Sequence, residues 1–174
     1  MTVEPVWTAD EALEALYAAH WRRLVRLSVL LVHDQGMAEE IVQDAFVAVH
    51  ARWSRLRDPD RALAYLRQTV VNRSRSALRH RGVVRRYAAR EAAAPETTQV
   101  PGADEPALAA DRRGTVLAAL RALPQRQREV LALRYYLDLS EAEIADTLGI
   151  SRGAVKSHAS RGAATLRALL EEEL

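Results

Sequence analysis

The 174-residue sequence predicts an all-α fold of small helical units joined by a linker, and three observations predict it. Apolar residues recur at three- and four-residue spacing through most segments. No segment reads as a strand, with its period-two alternation. One stretch, 92–106, loses periodicity altogether and gathers proline, glycine, threonine and acids.

Thr8 and Glu11 form a capping box that opens a long helix to about Val32. Its stripe is Leu13, Leu16, Tyr17, His20, Trp21, Leu24, Leu27 and Leu31, and His20 on that stripe reads as a packed histidine. His33-Asp34-Gln35-Gly36 breaks the pattern. A second helix runs from about Met37 to Arg52 and buries Ala38, Ile41, Val42, Ala45, Phe46 and Val49. Opposite lie Glu40, Gln43, Asp44 and Val47. On spacing alone this is a solvated face, and a docking face for a basic partner is the alternative.

Asp58-Pro59 is an N-cap followed by proline at the first helical position. The third helix carries Leu63, Leu66, Val70, Ser74 and Ala77 inward and Tyr65, Gln68, Asn72, Arg75, Ser76 and Arg79 outward. Between Arg67 and Arg90 there is no acidic residue, while arginine recurs throughout. Such segregation is the footprint expected for a phosphate backbone. Amide and aromatic groups among the cations suit unstacked bases. An acidic protein or a membrane surface is the other reading of the charge.

The linker, 92–106, separates an N-terminal unit, 1–91, from a C-terminal one, 107–174. A helix from about Ala107 to Leu123 turns Val116, Leu117, Leu120 and Leu123 inward, and Pro124 starts another with Val130, Leu131 and Leu133 buried. Ser140 and Glu143 make a second capping box. Ile144, Ala145 and Leu148 share one face, Gly149 ends that short helix, and Ser151 caps the next. Two short helices across a glycine-containing turn form a helix-turn-helix. In its second helix Val155, His158 and Ala159 point inward; Gly153, Lys156, Ser157, Ser160 and Arg161 point out. Small residues, hydroxyls and cations near the N-terminus are the mixture a major-groove recognition helix uses.

Composition narrows the function classes. Cysteine is absent, which excludes disulfides, Cys-ligated zinc and thiol catalysis. The formal net charge is +2, with the basic residues clustered. No phosphate-cradling glycine loop, HExxH or Gly-x-Ser-x-Gly occurs, and the five histidines lack ligand spacing. No enzyme, metal or cofactor is therefore expected. No run has the length of a membrane span and no signal peptide opens the chain, so a cytoplasmic protein is expected.

The stretch LPQRQREVLALRYYLDLSEAEIADTLGISRGAVKSHASRGAATLRALL resembles the promoter-binding domain of extracytoplasmic-function sigma factors, within the sigma-70 family. AEEIVQDAFVAVHARW is similar to their core-polymerase-binding helix, and AYLRQTVVNRSRSALRHR to their minus-10 helix. The tone is that of the actinobacterial SigE-family group. The resemblance implies a sigma region 2 domain over 1–91 and a region 4 domain over 107–174. It implies docking of Glu40, Gln43, Asp44 and Val47 on the β′ clamp helices of bacterial core RNA polymerase, and contact with the β flap. It implies capture of the melted non-template strand by the third helix, with Asn72 nearest a flipped base. Arg67, Arg73, Arg75 and Arg79 would hold neighbouring phosphates or the duplex edge, and Ser76 stands where many relatives carry an acid. Arg152, Lys156, Ser157, His158 and Arg161 would read or grip the minus-35 duplex. An anti-sigma factor is a possible further partner; a small-molecule substrate is not implied. The alternatives are a stand-alone helix-turn-helix regulator of the LuxR type, whose receiver domain needs strand alternation, and a structural adaptor for acidic proteins.

Overall fold

A computed structural model describes residues 7–91 and 107–172. All regular structure among these residues is helical: α1 (Ala9–Val32), α2 (Gln35–Leu56), α3 (Pro59–Glu91), α4 (Ala107–Ala122), α5 (Gln125–Leu131), α6 (Glu141–Leu148) and α7 (Arg152–Glu172), with a π-helical turn at Ala132–Tyr136. The stretch expected to be a linker lies outside the described residues.

Helices α1 to α3 form a bundle whose boundaries follow from local chemistry. Thr8 accepts from the Glu11 amide while the Glu11 carboxylate accepts from the Thr8 amide at 3.0 Å. Accepting from the Thr8 amide and the Thr8 hydroxyl holds the Glu11 carboxyl below its usual pKa. At the other end His33 takes the left-handed conformation, with φ 57°, and Asp34 caps α2 by accepting from the Met37 amide at 2.8 Å. The second helix thus begins at Gln35 rather than Met37 and runs to Leu56 rather than Arg52, because the break needs only one left-handed residue and one cap.

The core of this bundle comes from Leu24, Leu27, Val32, Val42, Val49, Leu66, Val70 and Val71, all almost fully buried. Ser28 and Ser74 meet inside it through a 3.0 Å hydroxyl pair, which satisfies both buried groups. Tyr17, expected on the buried stripe, is 46% exposed and stacks on Trp21 at 4.7 Å instead.

The C-terminal helices pack around Leu123, Val130, Leu133, Ile144, Leu148, Val155 and Ala159. Val116, expected inward, is 41% exposed; α4 is in contact with α7 and α1, and Ala119 and Leu123 supply its buried side. Gly162 is buried where α7 crosses α5, and a Cβ there would sit 3.2 Å from Leu131 and Gln127 side-chain atoms. One continuous apolar cluster spans both sets of helices, because α1 and α3 also pack against the π turn and α6.

Candidate nucleic-acid interface

On α3, positions 65, 68, 72, 76 and 79 lie along one stripe, as the helical period requires. Gln68, Asn72, Ser76 and Arg79 are exposed, and Tyr65 is half-buried beneath the Arg52 guanidinium, 5.4 Å from the ring centroid. The Asn72 amide has no side-chain partner among the described residues. Arg79 donates to the Ser76 hydroxyl at 3.3 Å. Further along, residues 83–90 are exposed on every side, so α3 projects beyond the bundle with Arg85, Arg86 and Arg90 facing solvent.

Two cations of this face are occupied from the C-terminal helices. Arg75 donates through Nε and Nη2 to the two carboxylate oxygens of Glu129, each at 3.0 Å. Arg67 lies 3.9 Å from Glu143, and burial lowers its pKa from the usual guanidinium value.

The helix-turn-helix is fixed by its caps. The Ser140 amide donates to Glu143 at 2.8 Å, and the Glu143 amide donates back to the Ser140 hydroxyl at 3.2 Å. Accepting from the Ser140 amide holds the Glu143 carboxyl below its ordinary pKa. Gly149 turns left-handed at φ 65°, where a Cβ would be strained, and the Ile150 amide returns to the Ala145 carbonyl. Ser151 then caps α7 through the Ala154 amide at 3.1 Å. With Val155 and Ala159 buried, α7 presents Arg152, Gly153, Lys156, Ser157, Ser160 and Arg161 to solvent. His158 is half-buried at the edge, its Nδ1 buried without a hydrogen-bond partner among the described residues. Lys156, which is exposed, lies 3.8 Å from the partly buried Glu141, a water-screened pair of small energetic weight.

On α2, Glu40, Gln43, Asp44 and Val47 are exposed together, and Val47 is 63% accessible. This is an acidic face with an apolar centre, beside the basic stripe of α3.

Sequence reasoning missed the polar residues that join the two sets of helices. Arg128, 9% exposed, donates from Nη1 to the Leu31 carbonyl at 3.0 Å and lies 3.2 Å from His33 Nε2. Its Nη2 donates to the carbonyls of Leu123, at 3.0 Å, and Arg121. Arg81 reaches the next carbonyl of α1, that of Val32, at 3.1 Å. Two guanidiniums thus meet the negative end of the α1 dipole, where orphan carbonyls need donors. Arg23 donates to the carbonyls of Tyr136 and Leu137. The available signal was Arg128-Glu129 immediately before the buried Val130 and Leu131, since a charged pair there must be matched from outside its own helix.

Among the described residues no cluster of His, Cys, Asp or Glu could hold a metal ion, and no helix is long and apolar enough to cross a membrane. The family model described as Sigma-70 region 2 matches residues 16–84, and that described as Sigma-70, region 4 matches 113–166. The chain is similar to RNA polymerase sigma factor CarQ of Myxococcus xanthus, at 34% identity over 94% of this chain and 92% of that one. It is 34% identical to the RNA polymerase sigma-E factor of Streptomyces avermitilis, over 85% of this chain and 79% of that one. It is also 34% identical to the ECF RNA polymerase sigma factor SigL of Mycobacterium tuberculosis, over 94% and 92% of the two chains. The fold is similar to that of CnrH solved with the cytosolic domain of CnrY, with TM-score 0.68, 26% identity, and 95% and 96% of the two chains covered.

Proposed function

The chain belongs to the sigma-70 family, among its extracytoplasmic-function sigma factors, and from that premise we propose how its surfaces divide the work of promoter-specific initiation. The reading rests above all on one observation: an acidic face on α2 and a basic one on α3 stand in the segment that matches region 2, and a second basic face on α7 stands in the segment that matches region 4.

Residues 1–91 act as the core-binding and minus-10 domain, 92–106 as the linker, and 107–174 as the minus-35 domain. The α2 face of Glu40, Gln43, Asp44 and Val47 docks on the β′ clamp helices of core polymerase, with the acids steering the encounter and Val47 supplying apolar contact. Region 4 meets the β flap. On α3, Asn72 pairs with an extruded base of the non-template strand, Tyr65 and Gln68 flank it, and Arg75, Ser76 and Arg79 hold sugar and phosphate. Extrusion costs unstacking energy that easily melted sequence minimises, so selectivity and opening arise together. On α7, Arg152, Lys156 and Arg161 grip phosphates or guanines of the minus-35 duplex, while Gly153, Ser157 and Ser160 allow close approach. His158 contributes from the edge of the face.

Each grip is weak by itself. Joining both on one polymerase raises the effective concentration of the second once the first is made. The protein performs no bond-making chemistry and needs no cofactor; it lends sequence specificity to the polymerase, in the cytoplasm. An anti-sigma factor is a candidate regulator on grounds of kinship.

Site-specific photocrosslinking in a reconstituted initiation complex tests these assignments. A crosslinker at position 72 is expected to label the non-template strand near minus 10, and one at position 156 the duplex near minus 35. Labelling of the same DNA region from both positions would refute the division of labour.

A further inference from the structure

We propose that a small cavity lined by α1, α3 and residues 137–139 is a binding site for a phosphate-sized oxyanion, held by His20, Arg23 and Arg67. The ligand is a phosphoryl group, either free inorganic phosphate or the phosphate of a nucleotide.

The cavity has a volume of about 70 Å³, enough for one such anion or a few waters. Every polar side chain that lines it is basic: His20 and Arg23 from α1, and Arg67 from α3. Leucines complete the walls, Leu24 and Leu63 among them, and no carboxylate takes part. Among the described residues neither His20 nor Arg67 makes a hydrogen bond, although the Arg67 side chain is only 17% exposed. Arg23 commits Nη2 alone, to the carbonyls of Tyr136 and Leu137 at 3.3 Å. Glu143 stands 3.9 Å from Arg67, beyond hydrogen-bond reach, and is already engaged in capping α6. A part-buried guanidinium without an acceptor is costly, and an oxyanion between these three side chains would accept from all of them.

The local electrostatics point the same way. Burial first, then Arg67 and Arg23, lower the His20 pKa, so the imidazole is neutral while the cavity is empty. The charged groups around His20 are Arg23 on its own helix, Arg67 with Asp60 beyond it on α3, and Glu143 on α6; residues 137 and 139 bring only leucine side chains. The cavity is distinct from the stripe of Gln68, Asn72 and Ser76, because Leu63 and Arg67 lie on the flank of α3 turned toward α1. Beside it, and sharing Arg23, runs a groove lined by Tyr17, Trp21, Arg22, Arg26 and Tyr136, with the Tyr17 and Trp21 rings stacked at 4.7 Å. Aromatic faces next to guanidiniums suit a base, so a nucleotide can place its phosphate in the cavity and its base in the groove.

Thermal unfolding of the full chain in phosphate or in chloride, at matched ionic strength, is the test. Phosphate at about twenty times its dissociation constant is expected to raise the melting temperature by about 5 °C over chloride. Arg67→Met and His20→Gln are each expected to lose most of that gain. In chloride, Arg67→Met is expected to melt no earlier than the unsubstituted chain, since Arg67 has no hydrogen bond to lose. Arg61→Met, which removes an equal charge at a 75% exposed position outside the cavity, is expected to keep the gain. Sulfate, whose charge is constant across neutral pH, is expected by calorimetry to bind several-fold more tightly at about pH 6 than at about pH 8, because an anion favours the imidazolium form. His20→Gln is expected to bind more weakly and without that difference. Adenosine monophosphate separates the two sources. Tighter binding than phosphate assigns the phosphoryl group to a nucleotide with its base on Tyr17 and Trp21, and equal or weaker binding assigns it to the free anion. No phosphate-specific gain in the unsubstituted chain, or an equal gain in Arg67→Met and His20→Gln, would overturn the site.

Discussion

Arg73 on α3 donates to Asp44 on α2 across 3.0 Å, tying the acidic face of the N-terminal bundle to its basic one. Both side chains are about half exposed, at 46% and 61%, so water screens the pair and its contribution to stability is small. Its positional consequence is larger, because it sets the edge where the acidic face of α2 meets the basic stripe of α3.

Asp44→Ala is therefore expected to change the unfolding free energy by less than about 1 kcal/mol in urea titration. Affinity for core polymerase, measured by fluorescence anisotropy, is expected to fall about tenfold, the scale of one interfacial charge. A large stability loss with unchanged core affinity would reverse the roles assigned to this residue.

Asn72 lies on the α3 stripe, exposed and without a side-chain partner among the described residues. Asn72→Ala should leave melting temperature and core binding unaltered and reduce open-complex formation about tenfold or more, as loss of a base contact worth about 1–3 kcal/mol does. Permanganate reactivity of melted thymines is the measurement.

Lys156 and Arg161 face solvent on α7, away from the buried Val155 and Ala159. Lys156→Ala is expected to weaken binding to the minus-35 duplex and to reduce the slope of log affinity against log salt by about 1. Equal slopes for the two proteins would remove Lys156 from the phosphate contacts.

Gly149 at φ 65° leaves open space around a would-be Cβ, so the cost of Gly149→Ala is conformational rather than steric. A destabilisation of about 1–2 kcal/mol is expected from left-handed strain alone. Thermal unfolding of the full chain, with the wild type as reference, measures it.

His33 gives the packing of α5 on the end of α1 a pH dependence. Burial first, then the neighbouring cations Arg128 from α5, Arg121 from α4 and Arg81 from α3, push its pKa down to about 4; Asp34, the adjacent acid, is itself paired with Arg81. Neutral His33 is the form that accepts from Arg128. Its contribution is thus fully present above the ordinary histidine pKa of about 6.5 and is lost as pH falls toward 4. The melting temperature should accordingly fall between pH 7 and pH 5, and His33→Gln should flatten that response.

Local chemistry made much of this fold legible. The capping boxes at Thr8 and Ser140, the Asp58-Pro59 start and the Gly149 turn are short-range devices, and each appears in the structure where the sequence puts it. The buried and exposed faces of α7 follow from periodicity alone. Other features depend on distant neighbours. Tyr17 and Val116 sit on apolar stripes that the packing leaves partly uncovered, and the π turn at Ala132–Tyr136 has no composition that marks it. The Arg75–Glu129 and Arg128–Leu31 contacts join residues more than fifty positions apart, so no periodicity could pair them. The same distance explains why Arg75 reads in sequence as a free cation and stands in the structure as an occupied one.

The most direct measurement is run-off transcription with purified bacterial core polymerase on sheared DNA from the source genome, with and without this protein. Discrete transcripts that appear only in its presence, sharing upstream elements near minus 10 and minus 35, are the expected result. Absence of such transcripts, together with failure of the protein to co-elute with core polymerase, would contradict the assignment and favour a regulator that binds DNA on its own.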